Sequence, residues 1–183
     1  WAPDSEEARG ALRHALVSAG MARARSLGWN DTYTYTKFLG EHLVRMDHGP
    51  VPTVVVRSSI IESSLREPEP GWLDGLRMAD PLIVGFGKGR LDDFPADPKM
   101  VLDIIPADMV VNAILAAAAH TAVTPGAFDV IHVASSSEKP LVFEQLYLAV
   151  REYFQKNPML DRAGKPVRVP KWKFPSVASF RSR

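Results

Sequence analysis

Cysteine is absent from this 183-residue chain, which excludes disulfides, thiolate zinc sites and cysteine nucleophiles together. The histidines (His14, His42, His48, His120 and His132) form no HExxH and no pair at metal-ligand spacing on one helix face, so no metal site is expected. An excess of one charge is lacking too. With 22 Lys and Arg against 21 Asp and Glu, the chain has no overall pull toward nucleic acid. No apolar run reaches membrane-spanning length; the longest, "MVVNAILAAAA" from Met109, is interrupted by Asn112. The opening residues, "WAPDSEEARG", are acidic and polar, unlike a cleavable signal. The expectation is a cytoplasmic protein, one domain or part of a larger one.

Helix signals are present from the start. "SEEARGALRHALVSAGMARARSLG" has acids in its first turn, bases in its last and Gly28 as a stop, which predicts a helix over 5–27. A second helix follows, capped by Asp31 or Thr32, and "YTYTKFLGEHLVRMDH" runs to Gly49 and Pro50. "VPTVVVRSSII" is apolar on both faces and of strand length, as a central parallel strand covered by helices would be. The stretch from Glu62 to Met100 is rich in Pro, Gly and Asp yet holds large apolar residues, so it reads as an ordered excursion with short elements. Beyond it, "VLDIIPAD" is a strand leading to a helix capped by Asp108, "FDVIHVAS" is a buried strand, and "PLVFEQLYLAVREYFQKN" is a helix. The apolar positions of that last element are Leu141, Phe143, Leu146, Leu148, Val150 and Phe154. Alternation of helix and buried strand predicts an α/β fold.

Two of the four tyrosines stand in "TYTYTK". On a helix, Tyr33 and Lys37 are neighbours one turn apart. Spacing alone allows two readings. Tyr33 packs beside the next strand while Lys37 reaches solvent, or the ammonium lowers the pKa of a phenol whose ordinary value is about 10. The second arrangement lets the phenol protonate a carbonyl oxygen during a hydride transfer.

Four stretches settle which family the chain resembles. "GWNDTYTYTKFLGEHLV", "VPTVVVRSSIIESSLREPEPGWLDGL", "GKGRLDDFPADPKMVLDIIPADMVVNAILAAA" and "FDVIHVASSSEKPLVFEQL" are similar, in the same order, to the fatty acyl-CoA reductases of the male-sterility type, which are extended short-chain dehydrogenase/reductases. The resemblance runs from about Leu27 to about Phe154. It implies the C-terminal part of a doubly wound, Rossmann-type parallel sheet with an inserted substrate-side subdomain. Carried over position by position, Tyr33 is the catalytic acid, and Lys37 holds the nicotinamide ribose and tunes Tyr33. Ser58, Ser59, Ile60 and Ile61 border the nicotinamide at a strand's carboxyl end, where such sheets place ligands. Ser58 stands where the family usually has proline. "EPEPGW", Glu67–Trp72, matches the acyl-side loop.

The glycine-rich GxxGxxG turn that cradles a pyrophosphate is missing from the chain. "GFGKGR", Gly85–Arg90, follows the excursion instead of opening a first βαβ unit and is not that fingerprint. The chain is therefore expected to be a piece of a longer reductase, inactive and weak in NADPH binding by itself. The expected divisions are 1–62, the second half of the NAD(P)-binding domain; 63–100, the substrate-side excursion; 101–156, the remaining strands and helices; and 157–183, a basic Pro-rich linker or arm.

The activity implied is NADPH-dependent reduction of a fatty acyl-CoA to aldehyde or alcohol. Alternatives are a carrier-protein thioester reductase, another extended short-chain dehydrogenase, or a non-catalytic assembly fragment. The expected partners are the fatty acyl-CoA substrate and no nucleic acid. An exposed sheet edge would favour a homodimer. From Lys156 onward Asp161 is the sole acid among eight Lys and Arg, a basic tail suited to peripheral contact with an anionic membrane or to coenzyme A phosphates. A solvated linker is the simpler reading of its closely spaced prolines.

Overall fold

Ser5 starts the first helix, its hydroxyl accepting from the Ala8 N–H at 3.1 Å. Helix α1 (Glu6–Ser26) has Glu6 and Glu7 in its first turn and Arg23 and Arg25 in its last, both favourable to the helix dipole. Gly28, at φ 85°, turns the chain through a conformation that glycine adopts without steric cost. Asp31 then caps α2 (Thr32–Asp47), accepting from the Thr34 N–H at 2.7 Å and the Thr34 hydroxyl at 2.9 Å. This computed structural model describes residues 5–76 and 78–182; the first four residues and Arg183 of the basic tail lie outside them.

The remaining elements alternate in the α/β manner. They are β1 (Thr53–Ser58), β2 (Ile60–Glu62), α3 (Asp80–Gly87), β3 (Val101–Leu102), β4 (Ile104–Pro106), α4 (Ala107–Thr121), β5 (Phe128–Val133), β6 (Leu141–Val142), α5 (Phe143–Lys156) and α6 (Val177–Arg181). Among the described residues β1 pairs with β5, β2 with β4 in parallel, and β3 with β6 antiparallel. The chain divides into two compact units, Trp1–Val55 with Thr121–Asp129, and Val56–His120 with Val130–Arg183.

In the first unit α1 and α2 meet at Gly20, where a Cβ would stand 3.2 Å from Thr32 Cγ2. Ala24 is buried, and Trp29 stacks on Phe38 at 4.9 Å. The Thr121 hydroxyl donates to Asp129 at 2.8 Å, and the Thr53 N–H donates to the Ala127 carbonyl at 2.8 Å. Leu16, Leu43 and Met46 are exposed.

In the second unit the expected single strand 51–61 is divided at Ser59. The Ser59 N–H donates to the Val133 carbonyl at 3.0 Å, and the Ile60 N–H to the Asp103 carbonyl at 3.1 Å. The chain thus leaves β5 as a partner and takes up β4, in the register Ile60 with Ile104 and Ile61 with Ile105. The strand is also less covered than a central one, since Arg57 and Ser58 are exposed.

The core of this unit is aromatic: Phe86, Phe143, Tyr147, Phe154, Val169 and Trp172 are buried together. Helix α5 supplies Phe143, Tyr147, Val150 and Phe154 at helical spacing, while Leu148 lies off that face and is exposed. The Gln145 side chain accepts from the Val142 N–H at 3.1 Å, closing the helix start. Helix α3 comes so close that a Cβ on Gly87 would stand 2.6 and 2.8 Å from Cε1 and Cε2 of Phe154. The glycines of "GFGKGR" are thus absorbed by packing.

The expectation of a solvated linker after 157 is corrected by Trp172, which is only 7% exposed. Its ring stacks on Tyr147 at 5.2 Å, and its indole N–H donates to the Leu91 carbonyl at 2.8 Å. The prolines break helix but not packing; an extended strap can deliver an aromatic residue to a core.

Candidate functional site

Helix α2 presents Tyr33 and Lys37 from its first turns. The Asp31 cap fixes where the helix begins, and so fixes the direction of the Tyr33 side chain. Thr36 adds a bond from its hydroxyl to the Tyr33 carbonyl at 3.0 Å. Tyr33 is 70% exposed and Lys37 is exposed as well, while Tyr35, two residues on, is half-buried. At that exposure Tyr33 does not pack beside the next strand, while Lys37 does reach solvent. A phenol and an ammonium stand one turn apart, both open to solvent.

Ser58, Ser59, Ile60 and Ile61 belong to the second unit and form its β1-to-β2 junction. Ser58, Ile60 and Ile61 are exposed at the strand ends. Ser59 Oγ is buried, and its side chain is one of the groups that lower the pKa of the Asp103 carboxyl. Behind the junction lies Asp103. Its carboxylate accepts from the Ser136 hydroxyl and from the Ser135 and Ser136 N–H groups, at 3.0 and 3.3 Å for the two amides. The Ser136 hydroxyl and then the Ser135 amide hold this carboxyl down to about 2. The Ser135 hydroxyl donates to the Ile104 carbonyl at 2.6 Å. One carboxylate thus ties the loop after β5 to the entry of β4.

A second carboxylate does the same for the loop that leads into Glu67–Trp72. Asp108 was expected to cap α4 but stands as its second residue. It accepts from the N–H groups of Leu65, Arg66 and Glu67 at 2.8, 2.9 and 3.3 Å. The Leu65 amide is the largest cause that holds its pKa below the ordinary carboxylate value. Ser64, buried, closes the same loop: its N–H donates to the Trp72 carbonyl at 3.0 Å, and the Gly71 N–H donates to the Ser64 carbonyl at 2.9 Å. The loop Glu67–Trp72 is thereby a fixed shelf directly after β2. Glu62, at the end of β2, accepts from the Ala79 N–H at 3.2 Å, and burial raises its pKa.

Sequence reasoning missed Asp103 and the role of Asp108 because their partners lie 32 and 43 residues away. A signal existed in the two carboxylates, Asp103 and Asp108, that flank the short apolar strand Ile104–Pro106. Among the described residues, no group of three or more His, Cys, Asp or Glu can hold a metal ion, and no helix is long and apolar enough to cross a membrane.

Comparison with known proteins follows the same lines. A relative named fatty acyl-CoA reductase 2, chloroplastic, from Arabidopsis thaliana is 45% identical over 170 residues, which are 90% of this chain and 28% of that protein. The alcohol-forming fatty acyl-CoA reductase of Simmondsia chinensis is 40% identical over 162 residues, 86% of this chain and 32% of its own length. The chain thus spans about a third or less of these two relatives. A solved UDP-glucose 4-epimerase from Thermotoga maritima aligns with a TM-score of 0.45 at 16% identity, over 81% of this chain and 41% of that one. The NAD-binding family model described as "Male sterility protein" matches residues 4–114. Those residues are more than half of the chain, and it belongs to that family.

Proposed function

We propose that the protein containing this chain reduces a fatty acyl-CoA thioester with NADPH, giving an aldehyde with release of coenzyme A and then an alcohol. The observation that carries this reading is the exposed pair Tyr33 and Lys37 on one side of α2, in a chain of an NAD-binding family whose similar members are named fatty acyl-CoA reductases. A phenol and an ammonium one helical turn apart, both open to solvent, suit the ribose and nicotinamide end of a dinucleotide. When bound, the reduced nicotinamide supplies a hydride.

The chain's own residues do the rest. The Tyr33 phenol gives its proton to the substrate oxygen as negative charge builds there. The Lys37 ammonium holds the ribose hydroxyls and offsets the charge left on the phenolate oxygen. Ser58–Ile61 supply a partly apolar edge against the nicotinamide. The Glu67–Trp72 shelf, fixed by Asp108 and Ser64, borders the acyl side and helps exclude water from the reacting carbonyl.

The test is NADPH oxidation by the full-length protein, supplied in turn with a long-chain acyl-CoA and the same acyl group on a carrier protein. Turnover with acyl-CoA at the higher kcat/KM is expected. A clear preference for the carrier-bound thioester would transfer the reading to a carrier-protein thioester reductase. No turnover with either, in protein that binds NADPH, would reject thioester reduction.

A further inference from the structure

The C-terminal half of α5 and the segment Pro166–Lys171 enclose an open pocket of about 530 Å³, within the usual span of ligand pockets, about 300–1,000 Å³. Its lining includes Phe154 and Val169 of the aromatic core, and Arg151, Arg168 and Lys171. Among the described residues that line it there is no Asp or Glu. The frame is fixed. Leu160 and Pro166 form an antiparallel bridge, and the Val167 N–H donates to the Met159 carbonyl at 2.7 Å. Asp161, the acid nearest in sequence to this frame, is occupied, its Oδ1 accepting from the N–H groups of Ala163 and Lys165 at 2.8 and 2.9 Å.

Two features call for an anion. Arg151 Nε is buried with no hydrogen-bond partner among the described residues, a condition that native structures relieve with a water or a ligand. Three cationic side chains around one cavity also repel one another, and a negative group between them reverses the sign of that interaction. Guanidinium forks match tetrahedral oxyanions with paired hydrogen bonds, and a lysine adds a mobile point charge.

We infer that this pocket binds a phosphate group, held by Arg151, Arg168 and Lys171. The phosphates of the coenzyme A moiety are the source that the proposed reductase function supplies, and this part of the inference rests on that function. An anionic lipid headgroup offers the same chemistry.

The test uses the full-length protein and the variant Arg168→Gln/Lys171→Gln, whose two sites are exposed. Binding of inorganic pyrophosphate is measured by calorimetry at two salt concentrations. The wild type is expected to bind it more weakly at high salt, and the variant to lose about tenfold or more in affinity. Equal binding by both overturns the site, as does absence of binding by the wild type. The source is read from the ratio of KM for acyl-CoA to KM for the matching acyl-pantetheine, which lacks these phosphates. A ratio that rises about tenfold in the variant assigns coenzyme A. An unchanged ratio, with loss of binding to vesicles containing phosphatidic acid, overturns that source and assigns the lipid. A wild type inert toward acyl-CoA rejects the reductase function, while the pyrophosphate measurement still decides the pocket.

Discussion

Removing the indole of Trp172 attacks the contact that fastens the C-terminal strap to the second unit. The ring stacks on Tyr147 at 5.2 Å with 7° between planes and on Phe94 at 5.7 Å with 15°, and Phe86 meets it edge-on at 5.1 Å. Its indole N–H donates to the Leu91 carbonyl, and its backbone N–H donates to the Tyr147 hydroxyl at 3.0 Å. Trp172→Ala should therefore cost about 3–5 kcal/mol, the usual loss for an aromatic ring deleted from a core. Trp172→Phe keeps most of the stacking and orphans the Leu91 carbonyl, which should cost about 1–3 kcal/mol. Against a typical domain stability of about 5–15 kcal/mol the first change is severe. Urea denaturation followed by circular dichroism at fixed slope reads both. A Trp172→Ala midpoint equal to wild type is what an unattached linker would give, and it would refute the packing described.

Three further perturbations probe separate contacts. Gly87→Ala drives a methyl into the Phe154 ring and should lose about 1–3 kcal/mol by overpacking, whereas Gly40→Ala, with open space at its Cβ, should gain up to about 1 kcal/mol of helix stability; thermal melts of the pair test the contrast, and similar shifts would contradict it. Asp103 has its pKa lowered to about 2 by the Ser136 hydroxyl and the Ser135 amide. Its stabilising share is complete above the unfolded carboxylate value near 4 and is lost as pH falls through the folded value. Asp103→Asn should accordingly lower stability at neutral pH and flatten its decline below about pH 4; an acid titration parallel to wild type argues against those bonds. Asp108→Asn replaces one accepting oxygen with a donor, so the Leu65, Arg66 and Glu67 amides should exchange faster with deuterium, and unchanged protection would remove Asp108 from its role in the loop.

The helices were the most legible part of the sequence because their signals are local. Ser5, the paired glutamates and Gly28 bound α1, Asp31 starts α2, and the spacing of Phe143, Tyr147 and Phe154 sets the buried face of α5. The Tyr33 and Lys37 pair was legible for the same reason, since one helical turn suffices to set them side by side. Long-range choices were not. That "VVVRSSII" changes partner at Ser59 depends on Val133 and Asp103, and no feature of the run itself marks the change. The basic strap reads as a linker because its prolines deny a helix, yet Trp172 answers to Tyr147 and Leu91, 25 and 81 residues away. Asp103 and Asp108 look like ordinary strand-end and cap residues until the loops they hold are seen.

The most direct measurement is single-turnover reduction of a long-chain acyl-CoA by the full-length protein carrying Tyr33→Phe, with NADPH binding measured on the same sample. Loss of the phenolic proton should slow the reduction by about 100- to 10,000-fold and leave NADPH affinity close to wild type. A Tyr33→Phe protein that reduces acyl-CoA at nearly the wild-type rate would contradict the assignment of Tyr33 as the proton donor.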